Sequence, residues 1–218
     1  MSNMLSGPFK LPISGKKPDK MVIFLHGVGS DGFDLINLAD EFAEDLENAI
    51  FLSPNAPFKY DQFPSGYQWF SLSDYSEEKL YKGIEQALPI LQNYIDVNLA
   101  KYELSYKDLI LIGFSQGTMM AMQMAPRLKE ACLAVICFSG ALVSPKMLKN
   151  NIMSKPPFFL SHGSDDMVVP VSMHISAQEA LKNMGFYVED HIIEQLGHGI
   201  SLEAIDLAKK FIESMRNK

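Results

Sequence analysis

A serine stands between two glycines in Gly113-Phe114-Ser115-Gln116-Gly117. The apolar run Leu109-Ile110-Leu111-Ile112 precedes it, and Thr118 to Ala125, a stretch without proline or glycine, follows. This context reads as a strand entering a helix through a tight turn. Such a turn lifts the serine hydroxyl above the edge of a sheet, and the glycines leave room for the close approach. With glycine and serine each at about 7% of residues, the pattern arises by chance roughly 0.07 times in a chain this long. The bland alternative is a glycine-rich turn that only packs a helix onto a strand. Partners decide between the two.

A serine hydroxyl is a weak nucleophile at neutral pH and needs a base to take its proton. Histidine suits that task because it titrates near neutrality. His198 sits in Leu196-Gly197-His198-Gly199, just past a strand-like run and before the last helical segment. A third group must hold the imidazole tautomer and stabilise its cation. Asp165 and Asp166 both offer a carboxylate, in His162-Gly163-Ser164-Asp165-Asp166-Met167-Val168-Val169-Pro170. The resulting chain order, Ser then Asp then His, is the α/β-hydrolase order. Acyl transfer also needs donors aimed at the developing oxyanion. The backbone N–H of Gln116, next after the serine, supplies one. The glycine-rich loop Leu25-His26-Gly27-Val28-Gly29-Ser30-Asp31-Gly32 supplies the other. A phosphate-binding reading of that loop fails, because it lacks both a Gly-Lys-Ser/Thr ending and the full dinucleotide spacing.

These residues must be positioned by the elements between them. Strand-like runs at 21–25, 49–52, 109–112, 132–138, 158–160 and 187–193 alternate with helical segments at 34–47, 77–102, 171–183 and 201–215, the second expected to kink near Pro89. Near-continuous apolar strands separated by helices indicate an α/β fold, a mostly parallel central sheet with helices on both faces. Functional loops gather at the carboxyl ends of such strands. That geometry selects loops 25–31, 54–70, 113–117, 139–143, 161–170 and 195–201, the ones carrying the residues above.

The chain has 218 residues and reads as a single α/β-hydrolase domain over 1–218. A formal charge of -7 excludes broad contact with nucleic-acid phosphates. No apolar run is long enough to span a bilayer, so stable membrane insertion is not expected. Prolines at 8, 12 and 18 interrupt the first twenty residues, which do not read as a signal peptide. Cys132 and Cys137 fall in one strand-like run, five residues apart. They are expected to point to opposite faces and not to bridge, which fits a reduced, cytoplasmic protein. The five histidines are scattered without metal-ligand spacing, so neither a metal nor a cofactor is expected. His26 and His162 are read as serving loop geometry, and His174 and His191 as facing solvent. The stretch 58–70 is unusually aromatic. It either walls an acyl cleft, with Trp69 as the substrate contact, or is a long loop pinned by its own side chains. Met119, Met120, Met122 and Met124 read as core filler rather than a lipid surface.

Together these segments resemble the phospholipase/carboxylesterase family of α/β-hydrolases, which includes the acyl-protein thioesterases. The likeness runs through residues 24–32, Pro54-Asn55-Ala56-Pro57, Gln68-Trp69-Phe70, the 113–117 turn, the 162–170 loop and Gly197-His198-Gly199. It implies that Asp166, the fifth residue of His-Gly-x-x-Asp, is the triad acid, and that Val28 carries the second oxyanion N–H. Met167 stands where the family often has proline, and Ser71 where the eukaryotic thioesterase branch has aspartate; the latter looks more like the bacterial carboxylesterase branch. Dienelactone hydrolases share the architecture but use cysteine, and Ser115 argues against them. The resemblance implies hydrolysis of carboxylic esters or thioesters of apolar acyl groups, small molecules or lipids, without a cofactor. Lysophospholipase and acyl-protein thioesterase activity are alternatives within it, and it leaves room for a homodimer. A catalytically silent binding protein is the rival outside enzymes.

Overall fold

In the computed structural model, residues 5–63 and 65–217 are described; Pro64, within the aromatic stretch, and residues 1–4 of the N-terminal segment lie outside them. A seven-stranded sheet runs in the order β1-β3-β2-β6-β7-β8-β9. Its strands are β1 (Phe9–Lys10), β2 (Lys20–Leu25), β3 (Ala49–Leu52), β6 (Leu109–Phe114), β7 (Ala134–Phe138), β8 (Phe158–Gly163) and β9 (Val188–Ile193). All pair in parallel except β1, which runs antiparallel to β3 at one edge. A separate hairpin joins β4 (Phe58–Lys59) to β5 (Tyr67–Gln68).

Alternation along the strands builds two cores. Met21, Ile23, Leu25, Leu109, Leu111, Val135 and Cys137 face one layer of helices, while Val22, Phe24, Ile110, Ile112, Ile136 and Phe138 face the other. Such strands are buried on both faces, which is why they read as unbroken apolar runs. The first layer holds α3 (Glu77–Tyr102), α4 (Gln116–Met124), the short α5 (Pro145–Lys149) and α6 (Val171–Asn183); the second holds α1 (Gly32–Leu35), α2 (Ala39–Phe42) and α7 (Leu202–Arg216). The α3 helix buries Ile84, Leu88, Leu91, Ile95 and Leu99, a three-and-four spacing that puts them on one stripe. It continues through Pro89, which is exposed on the outer face. Among the described residues, no helix is long and apolar enough to cross a membrane.

Three sequence expectations need correction. The helix expected at 34–47 is two single-turn helices, α1 and α2, separated by a 3₁₀ turn at Ile36–Leu38. Tighter winding there turns Ile36 inward beside Leu35, and both join the core. The cysteine strand begins at Ala134 rather than at 132, so the opposite-face argument does not apply. Cys132 precedes the strand, and both thiols enter the same core, free. Burial pushes the Cys132 thiol up to about 12 and Cys137 well above its ordinary value, so neither is a thiolate at neutral pH. His174, expected at the surface, is buried against the His162 ring, and His191 is half-buried against Phe159.

The chain visits β3 on one side of β2 and then returns to place β6 on the other. This reversal leaves a crevice outside the carboxyl ends of β2 and β6. The loops leaving those strands are the glycine-rich loop at 26–32 and the turn at Ser115.

Candidate active site

Ser115 sits between β6 and α4 at φ 54°, ψ −117°, a backbone conformation that a residue with a side chain adopts only under strain. Its N–H donates to Phe138 O at 3.0 Å, which fixes the turn to the neighbouring strand. The flanking glycines are required by close approach. A Cβ on Gly113 would overlap the start of α4, and one on Gly117 would overlap the Leu25 carbonyl. The glycine-rich loop passes so near that an added Cβ at Gly27 would lie 3.3 Å from Ser115 Cβ.

The loop after β8 separates the two adjacent aspartates. Asp165 is exposed and accepts from Ser164 Oγ at 2.8 Å. Asp166 is buried, and its Oδ1 accepts from the N–H groups of Val168 and Val169, both at 2.8 Å. Its Oδ2 lies 2.7 Å from His198 Nδ1 and 3.2 Å from His162 Nε2. Burial by itself pushes this carboxyl up. The hydrogen bonds from His198, Val169 and Val168 together outweigh burial and hold its pKa below the ordinary carboxylate value.

His198 is carried by the loop after β9, which is stitched to the 163–166 turn. Asp165 N–H donates to Leu196 O at 3.0 Å, and Gln195 N–H donates to Ser164 Oγ at 2.9 Å. Ser139 Oγ donates to Gly199 O at 3.0 Å from the end of β7. The imidazole packs on the ring of Phe114, the residue before Ser115, with centroids 4.9 Å apart. The Asp166–His198 link is thus a formed hydrogen bond, and the His198 ring rests on the serine's chain neighbour.

Ser115 opens into a cleft of about 590 Å³. Its walls are largely apolar, with Leu72, Leu80, Met119, Leu142, Val169 and Met173 among them, and Val28 and Gln116 line it near the serine. Ligand sites are commonly of this size and character, with a few polar groups at one end. Met120, Met122 and Met124 are core residues, as expected, whereas Met119 reaches the cleft. Among the described residues, no three His, Cys, Asp or Glu side chains converge as a metal ion would require.

Trp69 is not a cleft residue, which corrects the expectation of a substrate contact. Its side chain is 0% exposed, and its indole N–H donates to His26 O at 3.0 Å. No described residue of 58–70 lines the cleft. The stretch is pinned down instead. Gly29 N–H donates to Tyr67 O, and Tyr67 N–H donates to Ser30 O, both at 2.8 Å, while Phe70 is buried beneath α3. Sequence reasoning missed the cleft walls at Leu72, Tyr75 and Leu142, which lie in connecting segments without periodicity.

A phospholipase/carboxylesterase family model matches residues 11–216. The acyl-protein thioesterase 1 homolog 1 of Dictyostelium discoideum is 30% identical over 200 residues, covering 88% of each chain. The esterase YpfH of Escherichia coli is 26% identical over 197 residues, covering 88% of this chain and 83% of that one. The crystal structure of esterase PE8 superposes with a TM-score of 0.92 at 38% identity, over 97% of this chain and 99% of that one.

Proposed function

The chain belongs to the phospholipase/carboxylesterase family of α/β-hydrolases, and on that premise we propose that Ser115, His198 and Asp166 are its nucleophile, base and orienting acid. The protein is a hydrolase of carboxylic esters or thioesters. The observation that carries the site assignment is a strained serine lining an apolar cleft, whose chain neighbour Phe114 packs on a histidine already bonded to a buried carboxylate.

Ser115 Oγ attacks the acyl carbon, and its proton passes to His198 Nε2. The carbonyl π pair moves onto oxygen, where the N–H groups of Val28 and Gln116 hold the negative charge. Asp166 keeps the Nδ1 proton in place and stabilises the imidazolium without taking the proton. Collapse of the tetrahedral intermediate breaks the bond to the alcohol or thiol, which leaves with the proton from His198. Water then adds to the acyl-enzyme, giving its proton to His198, and the carboxylic acid departs as Ser115 is reprotonated. The leucine and methionine walls favour an apolar acyl group, with about 0.8 kcal/mol gained per methylene buried.

A fluorophosphonate probe tests the assignment. The native protein should be labelled on Ser115, and Ser115→Ala should not. Failure of the native protein to react, or equal labelling of the variant, sinks it. Rates on esters and thioesters of graded acyl length then separate short soluble esters from lipid or S-acyl substrates.

A further inference from the structure

The two N–H groups assigned to the oxyanion come from loops far apart in the chain, yet they must aim at one atom. Buried hydrogen bonds connect those loops. The Gln116 side chain is 1% exposed, and both ends of its amide are used. Trp69 N–H donates to its Oε1 at 2.8 Å, and its Nε2–H donates to Phe70 O at 2.7 Å. A backbone N–H only donates and a carbonyl only accepts, so the amide has one possible orientation.

Trp69 extends the connection to the other loop through its indole N–H, which donates to His26 O. The two rings lie 5.8 Å apart. The His26 ring is fully buried, and Ala56 N–H donates to its Nε2 at 2.9 Å. That nitrogen therefore carries no proton. The proton is on Nδ1, which donates to Gly27 O at 2.7 Å. Burial pushes the His26 pKa below its ordinary value, keeping this neutral tautomer at pH 7. The Gly27 carbonyl shares its planar trans peptide with the Val28 N–H, and the two point in opposite directions. Pinning the carbonyl to the His26 ring therefore aims the Val28 N–H the other way, and Val28 lines the cleft.

We infer that the Gln116 amide, Trp69 and the His26 ring form one bridge that holds the Gln116 and Val28 N–H donors in register for the oxyanion. This rests on the reaction proposed at Ser115 and adds three positioning residues to it, none of which touches substrate through its side chain. Preorganisation of this kind raises turnover because the donors need no reorientation as charge develops.

Two variants leave both backbone donors in place and cut the bridge. Trp69→Phe removes the indole N–H bond to His26 O, along with part of the ring, and keeps the backbone bond to Gln116 Oε1. Gln116→Met removes both side-chain amide hydrogen bonds at nearly constant length. Each is assayed for kcat and KM on one ester. Each is also assayed for affinity towards a trifluoromethyl ketone and a methyl ketone carrying the same acyl chain. Ser115 adds to the first ketone to give a bound oxyanion, whereas the second only occupies the cleft. The expected result is a fall in kcat of about 10-fold to 100-fold, a part of the cost of losing a whole donor. Trifluoromethyl ketone affinity should fall in step, while KM and methyl ketone affinity stay within about twofold. Unchanged kcat and trifluoromethyl ketone affinity with a lower Tm would reduce the bridge to a folding brace and overturn the inference. So would equal weakening of both ketones. Circular dichroism checks the fold, and if Gln116→Met does not fold, Trp69→Phe alone decides. Labelling of the native protein by the fluorophosphonate probe keeps the two questions apart: no labelling condemns the reaction, whereas labelling with flat variant kinetics condemns only the bridge.

Discussion

Asp166 Oδ2 and His198 Nδ1 meet at 2.7 Å although 32 residues separate them in the chain. The contact forms because loops from two adjacent parallel strands, β8 and β9, end at the same edge of the sheet and are tied together there. Asp165, one residue away, faces solvent. Steady-state kinetics on any accepted ester should therefore separate the two. Asp166→Asn should lower kcat by up to about 10⁴, since the amide favours the wrong imidazole tautomer. Asp165→Asn should leave kcat within about twofold, as surface changes usually do. A reversed pattern would reassign the orienting acid while leaving the reaction class intact.

Ser115 holds a positive φ, and glycine is the residue that adopts it without strain. Two variants at this position should then differ in stability. Ser115→Gly should melt higher than Ser115→Ala, because it releases strain worth about 1–3 kcal/mol, less the extra freedom that glycine has when unfolded. Calorimetry on the pair measures the difference. Equal melting temperatures would mean that the turn stores no strain.

Acid should weaken the fold in two windows. Burial first, and then the neighbouring His162 and His191, push the His174 pKa down to about 4 against the opposing pull of Asp190. An unfolded histidine titrates near 6.5, so between about pH 6.5 and 4 the unfolded chain binds a proton that the fold refuses. Stability falls on acidification across that window, by at most about 1.4 kcal/mol per pH unit. Asp166 acts lower. Its folded pKa is depressed, so its contribution is complete above the ordinary carboxylate range and is lost only as the pH falls through the folded value. Urea titrations at graded pH should resolve the two limbs, and His174→Gln should flatten the upper one alone.

Met173 is half exposed where α6 borders the cleft. A charge there tolerates folding but opposes an apolar chain. Met173→Glu should cut kcat/KM on long-chain esters by about 10-fold or more, as burying apolar chain against a carboxylate forfeits several methylenes of binding. Acetyl esters, which do not reach the rim, should be hydrolysed at nearly the native rate. Equal losses on both would move the acyl group out of this cleft.

Much of the site was legible because its determinants are local. Gly113 and Gly117 declare the turn through the space that they leave, and buried parallel strands declare themselves as apolar runs. What was misread depends on distant partners. Trp69 looked like a substrate wall, since an aromatic in a loop gives no sign of what it packs against. The structure buries it under His26 and Gln116. The β1 strand was invisible because it pairs through two backbone positions, with Phe9 exposed and no alternation to mark it.

The sequence by itself determined the fold class, the two-sided core and the identity of the serine turn, because strand alternation and glycine sterics act between near neighbours. Only the tertiary structure decided which aspartate meets His198, where the apolar cleft beside Ser115 runs and what Trp69 packs against. Those answers depend on hydrogen bonds between loops that the sheet brings together from separate parts of the chain.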